Sequence, residues 1–127
     1  MRSVSLVAAG LALGVSAAAP AAQAYDIDFR GQSRASPKLK ADLLNNITIY
    51  GKARYKCAVV FSVDSTVLPP SYNPRTAMYR VSSPQRVYER WVVNLCGTKR
   101  PFFVGLWPDG RGGAYFKVGE IMKGTEP

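Results

Sequence analysis

The sequence predicts an α+β domain: a small, mainly antiparallel β-sheet of about four to six strands with a C-terminal meander, one short N-terminal helix and one disulfide. Three observations lead to this prediction. Apolar and polar residues alternate along much of the second half of the chain, as they do in half-buried strands. A segment after residue 36 instead repeats leucine at helical spacing, and the chain contains two cysteines.

An export signal is predicted over residues 1–24. A short basic start precedes an uncharged apolar run at 4–19, and an A-x-A cleavage motif occupies 22–24. The alternative, an uncleaved membrane anchor, is disfavoured because the run is rich in Ala and Gly and is interrupted by Pro20. We therefore expect residues 25–127 to form one globular domain without a transmembrane segment. Its predicted location is the periplasm, with release into the medium as the alternative.

The predicted helix begins at Ser36, an N-cap residue followed by Pro37 at the first helical position. Leucines recur at helical spacing to residue 44, and the helix is expected to end after about two to three turns, at Asn45 and Asn46. A half-buried strand is predicted before it, at 25–29. The strands predicted after it are 47–50, 53–63, a weak one at 76–81, 87–95, 102–107 and 114–118.

Loops and turns separate these strands. Prolines exclude a central strand from 68–74, and turns are predicted at 96–101 and 108–113. The connections between the last three strands are short, so these strands should form an antiparallel meander. The strand at 102–107 is apolar on both faces, which predicts a position away from the sheet edge.

Cys57 and Cys96 are predicted to form a disulfide, because an even number of cysteines behind an export signal is typical of an oxidised protein. The bond would place the strand that contains Cys57 beside the end of the strand that contains Cys96. Strict alternation puts the two cysteines on different faces, which indicates either a β-bulge before Cys96 or a turn that already includes it. We favour the turn.

Several classes of chemistry are disfavoured. The chain has no histidine, which removes Ser-His-Asp and Cys-His hydrolases and most zinc or iron enzymes. A disulfide would leave no thiol nucleophile, and the glycines at 109–113 lie between strands rather than before a helix, unlike a phosphate-binding loop. The sequence therefore predicts a non-enzymatic protein with no cofactor and no metal.

A carboxylate pair remains as an alternative source of chemistry, since two such groups can hydrolyse a glycosidic bond. Glu89 stands out because it shares its alternation with Val87 and Trp91. If that face is buried, we expect a basic neighbour to pair with Glu89. The other candidates are Asp26, Asp28, Asp42, Asp64, Asp109, Glu120 and Glu126.

Charge indicates an anionic partner. After Arg2 is removed with the signal, 16 of the 17 basic residues and all 8 acidic residues remain, a net charge of +8. Such a charge favours an anionic envelope lipid, a glycolipid, a cell-wall polymer or an acidic exported protein. Nucleic acid is compatible with the charge but not favoured. The alternative is that the charge serves solubility alone.

Basic residues are interleaved with aromatic residues in several segments, an arrangement that suits phosphates and sugars. Arg54 and Lys56 are predicted to share one strand face, and the proline-rich loop displays Tyr72. The alternative is that the aromatic rings are core and the cations only solvated. The candidate binding residues are Arg54, Lys56, Tyr72, Arg75, Arg80, Arg90, Lys99 and Arg100.

The leading hypothesis is an exported, non-enzymatic binding module that engages an anionic envelope component or a protein partner through a basic and aromatic sheet face. The first alternative is an inhibitor or accessory subunit of a larger exported enzyme, docked through a loop or an open sheet edge. The second is a carboxylate-based hydrolase.

Overall fold

In the part of the chain that the structure describes, the fold is the predicted small α+β domain: one α-helix packed on a five-stranded sheet. The computed structural model describes residues 27–124 and 126–127. The predicted export signal at 1–24 and the first two residues of the predicted strand at 25–29 lie outside this part of the chain. Within the described residues, no helix has the length and apolar character needed to cross a membrane.

The elements of the sheet and its helix are β1 (Asp28–Gly31), α1 (Pro37–Tyr55), β2 (Val60–Val67), β3 (Val87–Leu95), β4 (Thr98–Pro108) and β5 (Ala114–Glu120). The sheet is mixed, with strands in the order β1-β2-β3-β4-β5. β1 and β2 are parallel neighbours connected by α1, and every other neighbouring pair is antiparallel. The predicted meander of the last three strands is thereby confirmed, and β2 pairs with its first strand.

Helix α1 is 19 residues long and continues well beyond its predicted end. Its start is as predicted: the Ser36 hydroxyl accepts a hydrogen bond from the backbone N–H of Leu39 at 3.2 Å. The predicted strand at 47–50 and the first part of the one at 53–63 are wrong, because both segments are helical. The buried stripe that begins with leucine continues through Ile47 to Gly51, so helical spacing persists where short-range alternation suggests a strand.

The helix ends on a left-handed residue. Lys56 has a φ of 56°, and its N–H donates to the carbonyl of Lys52 while the N–H of Cys57 donates to that of Gly51. These bonds satisfy carbonyls that the last helical turn would otherwise leave unpaired. Gly51 permits the return of the chain, since a Cβ at this position would lie 2.6 Å from the Cys57 carbonyl oxygen.

Apolar residues are buried on both faces of the sheet. The larger core lies between the sheet and α1, where Leu43, Trp91 and Phe102 are fully buried. The smaller core lies on the opposite face, where Tyr88 and Phe103 are covered by the long segment between β2 and β3. The middle of β4 contributes to both cores, which explains why the sequence is apolar on both faces there.

The disulfide between Cys57 and Cys96 is present, as predicted. Cys96 belongs to the turn and not to the strand: it has a φ of 51° and is followed by Gly97 with a φ of 95°, values typical of a two-residue β-hairpin turn. Cys57 corrects the prediction, because it lies between α1 and β2 rather than in a strand. The bond therefore ties the end of the helix to the β3–β4 hairpin.

One further prediction is wrong in the long segment between β2 and β3. The weak strand expected at 76–81 is absent, and a short 3₁₀ helix occupies Ala77–Tyr79 instead. Tyr79 and Val81 are nevertheless buried in the smaller core. The N–H of Val81 donates to the Tyr88 hydroxyl at 2.8 Å, so a side chain replaces the backbone partner that a neighbouring strand would provide.

Candidate functional site

The eight candidate binding residues fall into two groups. Arg54 and Lys56 lie at the end of α1, and Lys99 and Arg100 lie at the start of β4. The disulfide brings these two segments together, with 6.1 Å between the Cα atoms of the cysteines. We call Arg54, Lys56, Lys99 and Arg100 the basic end. The prediction that Arg54 and Lys56 share a strand face is wrong, because neither residue lies in a strand.

The ring of Tyr55 is the centre of the basic end. The guanidinium carbon of Arg100 lies 3.4 Å from the centroid of this ring, and that of Arg54 lies 5.2 Å from it. Both distances are within the range of cation–π attraction. The aromatic and basic residues are therefore interleaved in space as well as in sequence, although through a helix end and a hairpin rather than through one sheet face.

The carboxylate of Glu120 contacts both Tyr55 and Arg100. Its Oε1 accepts hydrogen bonds from the hydroxyls of Tyr50 and Tyr55, at 2.5 and 2.6 Å, and its Oε2 lies 3.6 Å from a guanidinium nitrogen of Arg100. The carboxylate is buried, whereas the Arg100 side chain remains 27% exposed. The sequence indicated Glu120 only as one of several further candidates for a carboxylate pair, because its hydrogen-bond partners lie 65 and 70 residues earlier in the chain.

The pKa values of the Tyr50 and Tyr55 hydroxyls are both raised, which favours the neutral form. Burial, followed by the hydrogen bond to Glu120, raises the pKa of Tyr50 far above its ordinary value. The hydrogen bond to Glu120 is the main cause that raises the pKa of Tyr55, and the nearby Arg100 and Arg54 oppose the shift. Both hydroxyls therefore remain donors to the carboxylate at neutral pH.

The second group contains the other four candidates, on the far side of the sheet. Tyr72 is largely a core residue: its ring packs on Tyr88 and Phe103, and its hydroxyl donates to the carbonyl of Pro127 at 3.0 Å. Arg80 is held by its own loop, since its guanidinium donates to two carbonyls five and six residues earlier. Arg75 and Arg90 are exposed.

Glu89 has no basic partner among the described residues, which corrects the predicted ion pair. It is fully buried, and its carboxylate accepts hydrogen bonds from neutral donors: the Ser33 hydroxyl at 2.7 Å, the backbone N–H of Arg34 at 2.6 Å and the Trp91 indole at 2.8 Å. The carboxylate thus fastens the β1–α1 loop to β3. The alternation along the strand placed Glu89 on the same face as Val87 and Trp91, but it did not identify these hydrogen-bond partners.

Most acidic side chains of the described residues are engaged inside the protein. Glu89 and Glu120 are buried, Asp109 caps the β4–β5 turn, and Asp42 pairs with Lys38 at 3.4 Å. Asp28 and Asp64 share the cation of one arginine, Arg30. Among the described residues, the salt bridges therefore involve three basic side chains, and the excess positive charge is left for solvent or a partner.

No group of three or more metal-binding side chains occurs in the described part of the chain. Comparisons with known proteins give no further indication: no family model, no curated protein and no solved structure matches this chain.

Proposed function

We propose that this protein is an exported, non-enzymatic binding module that engages the phosphate groups of an anionic envelope lipid or glycolipid through its basic end. The observation that carries the proposal is the position of Arg54 and Arg100 at the ring of Tyr55, where the disulfide joins the helix end that carries Lys56 to the hairpin that carries Lys99. One carboxylate, Glu120, lies among them, and it is buried beneath Arg100.

Electrostatics favour a multivalent anion as the ligand. Each exposed cation near an anionic surface contributes about 1 kcal/mol to binding, so several cations on one end are needed for useful affinity. Arg100 is already oriented by Glu120 and Tyr55, which reduces the entropy that it loses on binding. Guanidinium groups also match phosphate oxygens with two parallel hydrogen bonds.

The hydrolase alternative has less support. The two buried carboxylates, Glu89 and Glu120, both accept hydrogen bonds from donors of the protein itself, and the donors of Glu89 are all neutral. Their oxygens hold elements together, and neither carboxylate is free to transfer a proton to a substrate without breaking these bonds.

Vesicle titration tests the proposal. Vesicles of phosphatidylcholine, with and without phosphatidylglycerol, are titrated into the protein at low and moderate salt, and lipopolysaccharide and peptidoglycan are added in parallel. We expect binding that requires the anionic component and weakens with salt. Comparison of the lipid and lipopolysaccharide titrations distinguishes the two sources of phosphate.

A matched pair of variants locates the binding surface. Arg54→Gln/Lys99→Gln should weaken binding by about tenfold or more, whereas Arg75→Gln/Arg111→Gln removes the same charge elsewhere and should have a much smaller effect. Equal losses in both variants would mean that net charge alone drives binding. Equal losses, or no salt-sensitive binding to any of these ligands, would refute the proposal.

A further inference from the structure

A groove crosses the end of the domain that lies opposite the β3–β4 hairpin. It consists of three adjoining depressions of about 240, 180 and 450 Å³. The first lies against Leu68 and the prolines that follow it, the second against Val87 and Trp107, and the third against the start of α1 and the β4–β5 turn. Arg34 lines all three depressions, so it marks their junction.

The guanidinium of Arg34 has no hydrogen bond, salt bridge or ring contact with any described residue. The other cations of the groove are engaged: Lys38 pairs with Asp42, and Arg86 donates to the carbonyl of Ser83. At the junction of the depressions, Arg34 is therefore a cation whose guanidinium has no partner among the described residues, whereas Asp109, an acid that lines the third depression, accepts hydrogen bonds from N–H groups of its own turn.

The backbone of Arg34 is held in place by hydrogen bonds of its loop. Its backbone N–H donates to the buried carboxylate of Glu89 at 2.6 Å, and the adjacent Ser33 hydroxyl donates to the same carboxylate at 2.7 Å. The held backbone fixes where the Arg34 side chain begins, whereas its guanidinium, which contacts no described residue, still loses rotamer freedom when a ligand binds. The buried carboxylate of Glu89 thus has a second role, because it positions the backbone of the loop residue that lines all three depressions, Arg34.

Apolar surface flanks this charge on both sides. The first depression is lined by Leu68 and Tyr88, and the second by Leu39 and Leu106, with Arg34 between them. In an extended peptide, side chains i, i+2 and i+4 point to the same side. A segment with an acidic residue at i+2 and apolar residues at i and i+4 matches this order of surfaces.

We propose that the groove binds an extended acidic segment of a partner protein, whose carboxylate pairs with Arg34 and whose apolar side chains occupy the first and second depressions. This site is independent of the basic end, which lies at the other end of strands β3 and β4. The protein would then connect an anionic surface to a protein partner.

A peptide array provides the test. The probes are acetylated, amidated peptides of the form Φ-Ser-Glu-Ser-Φ, in which Φ is Val, Leu or Phe, together with the same peptides carrying Gln in place of Glu. Binding is measured on the exported protein with its disulfide formed, and backbone amide shifts locate the site. We expect the best Glu peptides to bind about tenfold more tightly than their Gln counterparts, with shifts at Arg34, Val87 and Trp107.

Variants of Arg34 separate the charge from the fold. Arg34→Gln keeps the backbone bond to Glu89 and should abolish the preference for Glu over Gln, and Arg34→Lys should restore part of it. Arg111→Gln, on the nearby turn, should leave the preference intact. The Arg54→Gln/Lys99→Gln variant should also leave it intact, so failure of this site and failure of the basic end are distinguishable.

Four results would overturn the proposal. These are equal affinity for Glu and Gln peptides, no binding by any peptide of the array, amide shifts that map to the basic end, and shifts of the same size with sodium acetate alone. The last result would mean that the groove takes a simple carboxylate and that its apolar surfaces contribute nothing.

Discussion

Glu89 illustrates how much a single buried residue depends on its donors. A carboxylate accepts at every lone pair, whereas the amide nitrogen of glutamine donates, so Glu89→Gln places an N–H group against the donors that now face the carboxylate. We expect this variant to lower the free energy of unfolding by about 2–3 kcal/mol, measured by urea denaturation. Ser33→Ala removes one donor and should cost about 1 kcal/mol. A Glu89→Gln protein as stable as the wild type would contradict the hydrogen-bonding scheme.

The tyrosine pair on Glu120 makes stability sensitive to high pH. The pKa of Tyr50 and that of Tyr55 are raised in the folded protein, whereas an unfolded tyrosine ionises near pH 10. Below about pH 10 both states keep the proton and the contribution is complete; above it the unfolded state loses the proton first, so the free energy of unfolding falls. Tyr50→Phe should make this fall shallower in denaturation curves collected across the range. Identical slopes for both proteins would contradict the shift.

Helix α1 is the element for which sequence reasoning was least accurate. Its start was predicted because a cap and a proline act locally, at Ser36 and Pro37. Its continuation was missed because Asn45 and Asn46 resemble a helix end, and β-branched residues with Gly51 resemble a strand and a turn. Packing against the sheet overrides these local preferences, since Ile47 and Gly51 are both buried against it.

Gly51 provides a test of this packing. Alanine normally stabilises an exposed helix interior by about 1 kcal/mol relative to glycine. At this position the added methyl group would lie 2.6 Å from the Cys57 carbonyl oxygen, so we expect Gly51→Ala to lower the thermal midpoint. Asn45→Ala, at an exposed position of the same helix, should raise it slightly. A stabilised Gly51→Ala protein would show that the chain can move away from the helix end at little cost.

At the scale of the whole molecule, the sheet was more predictable than the site. The bounds of β3 and the start of β5 were predicted correctly, because turn residues and strict alternation are local signals. β4 begins at Thr98, four residues before its predicted start, because the turn contains only Cys96 and Gly97 and the predicted turn at 96–101 is too long. The parallel pairing of β1 with β2 was not predicted. It depends on the full length of helix α1, which connects the two strands and which was expected to end at Asn45 and Asn46. The residues of the basic end were identified from the sequence but not as one surface, since the disulfide and the contact of Arg100 with Tyr55 join segments that are far apart in the sequence.

The disulfide should therefore support both stability and binding. It closes a segment with a separation of 39 residues, for which loop entropy predicts a contribution of about 4 kcal/mol. It also holds Arg54 and Lys56 against the hairpin that carries Lys99. We expect reduction to lower the free energy of unfolding by about this amount and to weaken binding to anionic vesicles even where the protein remains folded. Cys57→Ser/Cys96→Ser should behave like the reduced protein and no longer respond to a reductant. If the reduced, folded protein binds vesicles unchanged, the two halves of the basic end act separately.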